Sequence, residues 1–485
     1  MTRFPFFPLL RQPSVRRRAR PRAFSLLATG FLATMMAALP LRAPAQPSLH
    51  VIRTNGPASN RLNIVVLAEA YTSAQLGQFL VDATNAVATL LSHPPYTGYS
   101  NYVNAFAIKM ASKESGSDHP KYGISKDTYF NSAYDSYWDE LITIPSGTNG
   151  QGRVTALLQG FMPQCHLAIL LVNDPKPGGS DGFNLTAIVS TSAVAAETAM
   201  GQPAILTHEI GHVLANLGDE YTTPYPGFPD LEEPNTTRET NRAAIKWNAW
   251  ISPETPIPTP DSYGDGIVGL FTGAHYHETG WYRPQLNCAM GVMGVPFCAV
   301  CREALVLAIY QRARPVDAFW PASTNLSVST TQALSFSLVL QQPTFHNLTV
   351  QWCTNGVPLS SATNSTFTLL PQFLSPGSNQ VAARVKDNTP WVRTDPTNLL
   401  SQTIAWTVNV SLPQLRLDAP VRLPGGRLAF RVTGTAPQGV VLQSSSNLIS
   451  WSRLSTNSLE AGQFWHTNTH PGAYPWRFYR AVTPP

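Results

Sequence analysis

Near residue 320 the hydrophobic periodicity of this chain changes character, and that change constrains the architecture more than any other feature. Before it, strand-like and helix-like patterns alternate. Leu62-Asn-Ile-Val-Val-Leu67 is a short apolar run suited to a buried strand. Thr72 and Gln75 have the spacing of a capping box. Leu76, Phe79, Leu80, Ala83, Val87, Leu90 and Leu91 then recur at helical spacing until Pro94-Pro95 stops them. Further strands are predicted over 102–110, 166–172 and, after the turn Gly178-Gly179, 186–192, with helices over 203–217 and 302–312. Residues 222–287 are rich in Pro, Gly, Asn and Asp, and so long an irregular stretch in a compact domain is usually functional or held by an ion or a disulfide. After residue 320, runs of alternating polarity such as 334–340, 381–385 and 403–410 are separated by turn residues, the pattern of a β-sandwich. Trp352 followed by Asn355-Gly356 fits a sandwich strand ending in a tight turn. A second β-rich block spans 412–485, with strand-like stretches at 428–432, 440–443 and 478–482. At 485 residues several cores are expected, and the predicted division is 46–318, 319–411 and 412–485.

Residues 1–45 read as a secretory signal peptide. A basic region ends at Arg22, an apolar run from Ala23 to Leu39 follows, and Ala43-Pro-Ala45 supplies small residues for cleavage after Ala45. The apolar run is short for a membrane span of about 20 residues, and nothing later is apolar enough to cross a bilayer. The expected location is secreted, extracellular or periplasmic. This leader holds eight arginines and no acid, so removing it takes the formal charge from +5 to −3. A near-neutral mature protein has no electrostatic reason to seek nucleic acid or anionic lipid. Export permits disulfides among Cys165, Cys288, Cys298, Cys301 and Cys353, although the odd number leaves one thiol over. Cys298-x-x-Cys301 lacks the second such pair of a structural zinc ribbon, and a local disulfide involving Cys288 is the expectation.

His208-Glu-Ile-Gly-His212 puts two imidazoles four residues apart on a helix, on one face and one turn apart. Both reach one cation, while Glu209 is offset to face a water rather than to ligate, which is the placement of a general base. Three protein ligands are usual in a catalytic zinc site. Asp219 is the candidate third ligand and Glu220 its rival. A straight helix would carry Asp219 about 10 Å beyond His212, so the chain must bend first, and Asn216 and Gly218 both tolerate the positive φ that a bend needs. His275, His277 and Glu278 lie in unperiodic sequence and read as surface residues. Met290 or Met293 could supply a polarisable floor beneath the metal. Tyr221 and Tyr282 are candidate oxyanion stabilisers, or equally packing groups of the cleft wall. The 186–192 strand, just before the motif helix, is a candidate edge for pairing an extended peptide.

The run from His208 to Tyr221, with Gly280-Trp-Tyr-Arg-Pro284, Cys288-Ala-Met290 and Phe297-Cys-Ala-Val-Cys-Arg-Glu303, resembles the IgA-metallopeptidase family of metzincin-like zinc peptidases. Glu69-Ala-Tyr71, Glu114-Ser-Gly116, and Asn173 with Gly178-Gly-Ser180 are similar to that family's upstream segments, so the likeness covers roughly residues 60–315. It implies an α+β chain in which an α/β, zincin- or metzincin-like catalytic domain precedes all-β immunoglobulin-like sandwich modules. It also implies one catalytic Zn2+ on His208, His212 and Asp219, Glu209 as base, Met290 in the turn below, and a protein or peptide substrate. This chain has Ala215 where relatives tend to carry glycine, so its turn is expected slightly later, at Asn216 or Gly218. The family name refers to cleavage of immunoglobulin A by particular members, and nothing in these residues carries that substrate over. The competing readings are a non-catalytic adhesion protein with a structural metal, disfavoured by Glu209, and a zinc hydrolase of a non-peptide amide. In the C-terminal block Trp451, Trp465 and Trp476 could dock glycan or protein, although core tryptophan is the simpler expectation.

Overall fold

A six-stranded mixed sheet organises the N-terminal domain of the computed structural model, which describes residues 46–136, 138–329, 333–370, 373–411, 415–434, 439–468 and 476–484. The segment assigned to a signal peptide lies outside these residues. The strands are β1 (Ser48–Arg53), β2 (Leu62–Glu69), β3 (Val103–Lys109), β4 (Leu167–Val172), β5 (Gly179–Phe183) and β6 (Thr186–Ser190), in the spatial order β1-β3-β2-β4-β6-β5. The inner four run parallel, and the edges β1 and β5 are antiparallel to their neighbours. Parallel strands are covered on both faces and so read as continuous apolar runs; every residue of β2, β4 and β6 is buried.

Five helices pack around this sheet: α1 (Leu76–Ser92), α2 (Gln151–Phe161), α3 (Thr191–Met200), α4 (Ile205–Ala215) and α5 (Ala299–Tyr310). The capping box at Thr72 and Gln75 forms, directly ahead of α1. Helix α4 begins with no side-chain cap of its own. Instead the buried Glu197 of α3 accepts from the Thr207 backbone N–H and hydroxyl, placing a carboxylate near the positive end of α4. Between α4 and α5 the chain is mostly irregular, apart from a hairpin of β7 (Phe271–Ala274) and β8 (His277–Arg283). Glu69 at the end of β2 is wholly buried and ties down the 128–132 segment by accepting from Thr128 Oγ1, Phe130 N and Ser132 N at 2.6–2.9 Å.

Beyond residue 315 the elements of both C-terminal blocks are strands, apart from a single-turn 3₁₀ segment at Pro424–Gly426, among the described residues. A three-stranded sheet (Val316–Trp320, Leu334–Leu340, Thr366–Leu369) faces a five-stranded one containing Thr349–Thr354, Gly377–Lys386 and Ser401–Ser411. Phe336 of the first meets Trp352 and Trp406 of the second at ring distances of 5.8 and 4.9 Å, filling a sandwich core. Asn355 and Gly356 both take positive φ in the two-residue turn after Trp352. The last block has a separate, smaller core of Phe430, Val432, Val440, Leu442 and Leu459. Its tryptophans do not fill that core: Trp465 is 58% and Trp476 73% exposed, and Trp451 lies under the Arg480 guanidinium at 4.1 Å. The expectation of core tryptophans therefore fails for Trp465 and Trp476, whereas Trp352 and Trp406 of the preceding sandwich are buried.

The first sandwich is joined to the N-terminal domain by buried polar contacts. Arg61 forms a two-pronged pair with Asp317 at 2.5 and 2.6 Å and also reaches Gln341. Asp387 accepts from the phenols of Tyr99 and Tyr310 at 2.8 and 2.6 Å. No helix among the described residues is long and apolar enough to cross a membrane.

Candidate metal centre

Helix α4 ends at Asn216, which adopts left-handed φ/ψ of 54° and 40° and whose N–H bonds back to the His212 carbonyl. With Ala215 helical, the reversal falls at the first residue that tolerates αL. The chain then doubles back under α4 and is held there by Asn235, whose side chain accepts from Gly218 N at 2.7 Å and donates to Gly218 O at 2.9 Å. Gly218 serves by its lack of a Cβ rather than by positive φ, since a Cβ there would lie 2.6 Å from the Glu233 carboxylate.

This turn brings Asp219 to the histidines. Asp219 Oδ1 lies 3.1 Å from His208 Nε2 and 3.4 Å from His212 Nε2, and the two Nε2 atoms are 3.1 Å apart. A tetrahedral ion with bonds of about 2.0–2.1 Å separates its donors by about 3.3 Å, so the three atoms have the spacing of a metal face. The donor chemistry agrees. His208 Nδ1 donates to Ala289 O at 2.8 Å and His212 Nδ1 to Leu217 O at 2.6 Å, which leaves both Nε2 lone pairs facing Asp219. Asp219 Oδ1 is buried without a hydrogen-bond partner, as a ligand atom would be. Its other oxygen accepts from the Tyr276 hydroxyl at 2.5 Å. Burial alone would lower both imidazoles, but the Asp219 carboxylate outweighs it: both are raised, His212 to about 10. Burial opposes the charge on Asp219 too, yet the imidazoles hold its carboxyl well below the usual range. The carboxylate therefore favours positive charge at both imidazoles, a place that a bound cation would take.

Glu209 projects beside this face. Burial pushes its carboxyl up to about 7, against the pull of both imidazoles and with a further upward push from Asp219 and Asp181. A carboxylate poised there can take and return a proton near neutrality. Gly179 of β5 makes room for it, since a Cβ at that position would approach Glu209 Cγ to 3.2 Å.

Below the ligands, Met290 is fully buried, and its Sδ would lie 2.8 Å from a Cβ placed on Gly211, so the glycine inside the motif admits the thioether. Met293 is 41% exposed and plays no part in that floor. The remaining candidates fall elsewhere. Tyr282 on β8 exchanges backbone hydrogen bonds with Thr237 and packs against the N-terminal core, and no hydrogen bond or ring contact joins it to the three ligands among the described residues. The phenols at the site are Tyr221, stacked on His208 at 5.8 Å, and Tyr276. His275 is wholly buried rather than superficial, stacked on Trp281 at 4.0 Å with Nδ1 3.2 Å from Glu233, so it braces the loop and ligates nothing in the trio. His277 accompanies it, with Nδ1 2.5 Å from the His275 carbonyl. Glu220 is buried but turns away from the histidines, toward Cys301 and Asn235. The expected substrate edge also moves. The 186–190 strand is paired on both sides, by β4 and β5, and the sheet edge is β5, whose glycine-rich Gly-Ser-Asp-Gly-Phe lacks a strand's apolar signature.

Tyr276 and Asn235 were not legible in the sequence. His275 and Tyr276 form a two-residue hairpin turn with φ of 52° and 58°, where Asn-Gly is the usual signal. That costly backbone is secured by His275 N donating to Asp219 O and Tyr276 N to Tyr221 O.

Two imidazoles and a carboxylate thus converge beside a second buried carboxylate, a grouping that could hold a metal ion. Residues 51–265 and 261–309 match the family model described as IgA Peptidase M64, together more than half of the 485 residues, and the chain belongs to that family. It is a metallopeptidase, an enzyme that hydrolyses peptide bonds. Two solved structures are similar to part of it. Fibronectin(III)-like modules of Clostridium thermocellum CbhA share 10% identity over 34% of this chain and 92% of theirs, with a TM-score of 0.15. A chaperone–tip adhesin complex of CFA/I fimbriae biogenesis shares 9% over 34% of this chain and 97% of its own, with a TM-score of 0.14. Likeness of that strength carries no argument. No curated protein matches the chain.

Proposed function

We propose that this metallopeptidase is an exported, zinc-dependent endopeptidase with a metzincin-like catalytic domain, in which His208, His212 and Asp219 hold the ion and Glu209 is the general base. The observation that carries the reading is the set of three donor atoms within 3.4 Å of one another, with both imidazoles oriented from behind by backbone carbonyls. A nitrogen- and oxygen-rich, three-ligand set suits zinc with one position open. When bound, zinc supplies Lewis acidity for the scissile carbonyl and for water. Glu209 removes the proton of the attacking water and delivers it to the leaving amine, a double duty helped by the burial that raises its carboxyl. Tyr221, whose ring lies on His208, is the phenol available to a developing oxyanion in place of Tyr282, while the Tyr276 hydroxyl is committed to Asp219 Oδ2.

An extended substrate would add to the β5 edge. Along that edge the Gly179 N–H is already taken by the Glu140 carbonyl and the Ser180 hydroxyl by the Ile142 carbonyl, and Gly179 lies next to Glu209. A hollow lined by Tyr225, Phe228, Tyr276 and Glu278 opens beside Tyr276 and would take an adjoining side chain. The metzincin-like reading draws support from the parallel sheet with its antiparallel edge, from the motif helix beside it, and from Met290 under the ligands. Export rests on the basic-apolar-small pattern of residues 1–45. The exposed Trp465 and Trp476 suit glycan or protein docking by the C-terminal block. The test is hydrolysis of a denatured protein by the wild type, the chelated enzyme and Glu209→Ala. Loss of activity in Glu209→Ala with zinc content unchanged supports the mechanism; full activity with zinc bound sinks it.

A further inference from the structure

We propose that Cys288, Cys298, Cys301 and Glu220 form a second, closed metal site for a thiophilic divalent ion of the zinc class, buried behind the first. The local disulfide expected at Cys288 is not formed. Instead three free thiols converge, with Cys288 Sγ 3.6 Å from Cys301 Sγ, where a bonded pair is about 2.05 Å apart. Cys301 Sγ lies 3.6 Å from Glu220 Oε1, and one donor atom from each of the four residues falls within 4.8 Å of the others. Tetrahedral zinc–thiolate bonds of about 2.3 Å separate sulfurs by about 3.8 Å, close to the spacing seen. A CxxC pair thus finds its remaining partners in a cysteine ten residues upstream and an acid on another loop, which spacing along the chain does not reveal.

Two further observations point to a cation. Glu220 is buried, forms no ion pair with Lys or Arg among the described residues, and leaves Oε2 without any partner. A carboxylate so placed is costly unless a positive charge joins it. The sulfurs, for their part, face backbone donors: Cys298 N–H points at Cys288 Sγ at 3.3 Å, and Cys301 N–H at Cys298 Sγ at 3.4 Å, where Cys298 caps α5. Amides directed at sulfur stabilise the thiolate form that a metal requires. A disulfide would use two of the three sulfurs and leave the third, with the carboxylate, unexplained.

The site also has work to do for its neighbour. Glu220 follows Asp219, and its N–H donates to Met290 O at 2.9 Å; Ala289, between Cys288 and Met290, supplies the carbonyl that orients His208. An ion joining Glu220 to Cys288 and to α5 therefore holds two of the three catalytic ligands in place.

Metal content of the purified full chain tests this separately from the peptidase reading. His208→Ala/His212→Ala removes the catalytic face and leaves the cysteines intact. Two equivalents of metal are expected in the wild type and one in this variant. After cobalt exchange, its remaining equivalent should give a thiolate-to-cobalt charge-transfer band that disappears in Cys298→Ser/Cys301→Ser. If those serines prevent folding, the histidine variant alone decides. No bound metal in it overturns the proposal, as does a mass deficit marking a disulfide among the three cysteines. A wild type holding one equivalent with the sulfur signature would instead sink the catalytic assignment and leave this one standing.

Discussion

Two clusters of candidate ligands lie back to back, divided between Asp219 and Glu220, and they differ in what each leaves open. The histidine cluster keeps some exposure to solvent: His212 and Glu209 are not fully buried, and β5 ends in exposed residues. All four residues of the cysteine cluster are buried, and its donors already suffice for four-coordination. An open position is what catalysis needs, whereas a closed set serves structure. The comparison teaches that neighbouring residues of one strand of chain, 219 and 220, can serve opposite purposes according to the side from which they are enclosed.

That contrast can be broken most decisively at Asp219. Asp219→Ala should leave the protein folded while peptidase activity falls by more than about a thousandfold, since Lewis acidity contributes several kcal/mol; activity and bound metal are the measurements, and near-normal values for both would remove Asp219 from the ligand set. Cys301→Ser should do the reverse, acting first on stability. Leaving Glu220 and two sulfurs without their fourth partner costs about 3–5 kcal/mol, read as a lower melting temperature of the N-terminal domain than Asp219→Ala shows. An equal or smaller loss would erase the distinction between the clusters.

Smaller changes sharpen it. Tyr276→Phe removes the hydroxyl bonded to Asp219 Oδ2, and loss of such outer support typically weakens metal affinity or activity about 10–100-fold; competition with a chelator would measure it. The pH profile follows from Glu209, which must be ionised to act. Burial raises its carboxyl to about 7, and a dication beside it lowers the value again, so kcat/KM should fall tenfold per unit on an acid limb lying below about 7. Asp181→Asn takes away one upward push on Glu209 and should move that limb further toward acid by less than about one unit. A shift toward alkali would show that Asp181 acts on some other group.

How much was legible beforehand depended on whether the signal was local. The α4 pattern, the need for a bend before Asp219 and the residues able to make it could be read from the chain, because helical periodicity and αL tolerance are properties of a few consecutive residues. The same holds for the apolar strands β2 and β4 and for the Asn355-Gly356 turn. Strand β5 escaped because its Gly-Ser-Asp-Gly-Phe sequence is specified by its neighbours and not by its own hydrophobicity. Helix α2 escaped because only Val154 and Leu157 of its eleven residues are fully buried, which leaves a weak stripe. His275 looked superficial because its stretch has no period, yet Trp281, six residues on, covers it.

By itself, then, the order of residues determined that a helix would carry two imidazoles on one face with an acid beside them, that the chain would turn before Asp219, and that residues beyond 320 would pair as strands. These follow from steric preference and short-range periodicity. Only the tertiary structure decided which acid meets the histidines and which meets the cysteines, that Tyr276 and not Tyr282 stands beside Asp219, and that β5 ends the sheet. Each of those outcomes depends on groups far apart in sequence competing for the same buried space, where an unpaired charge is costly.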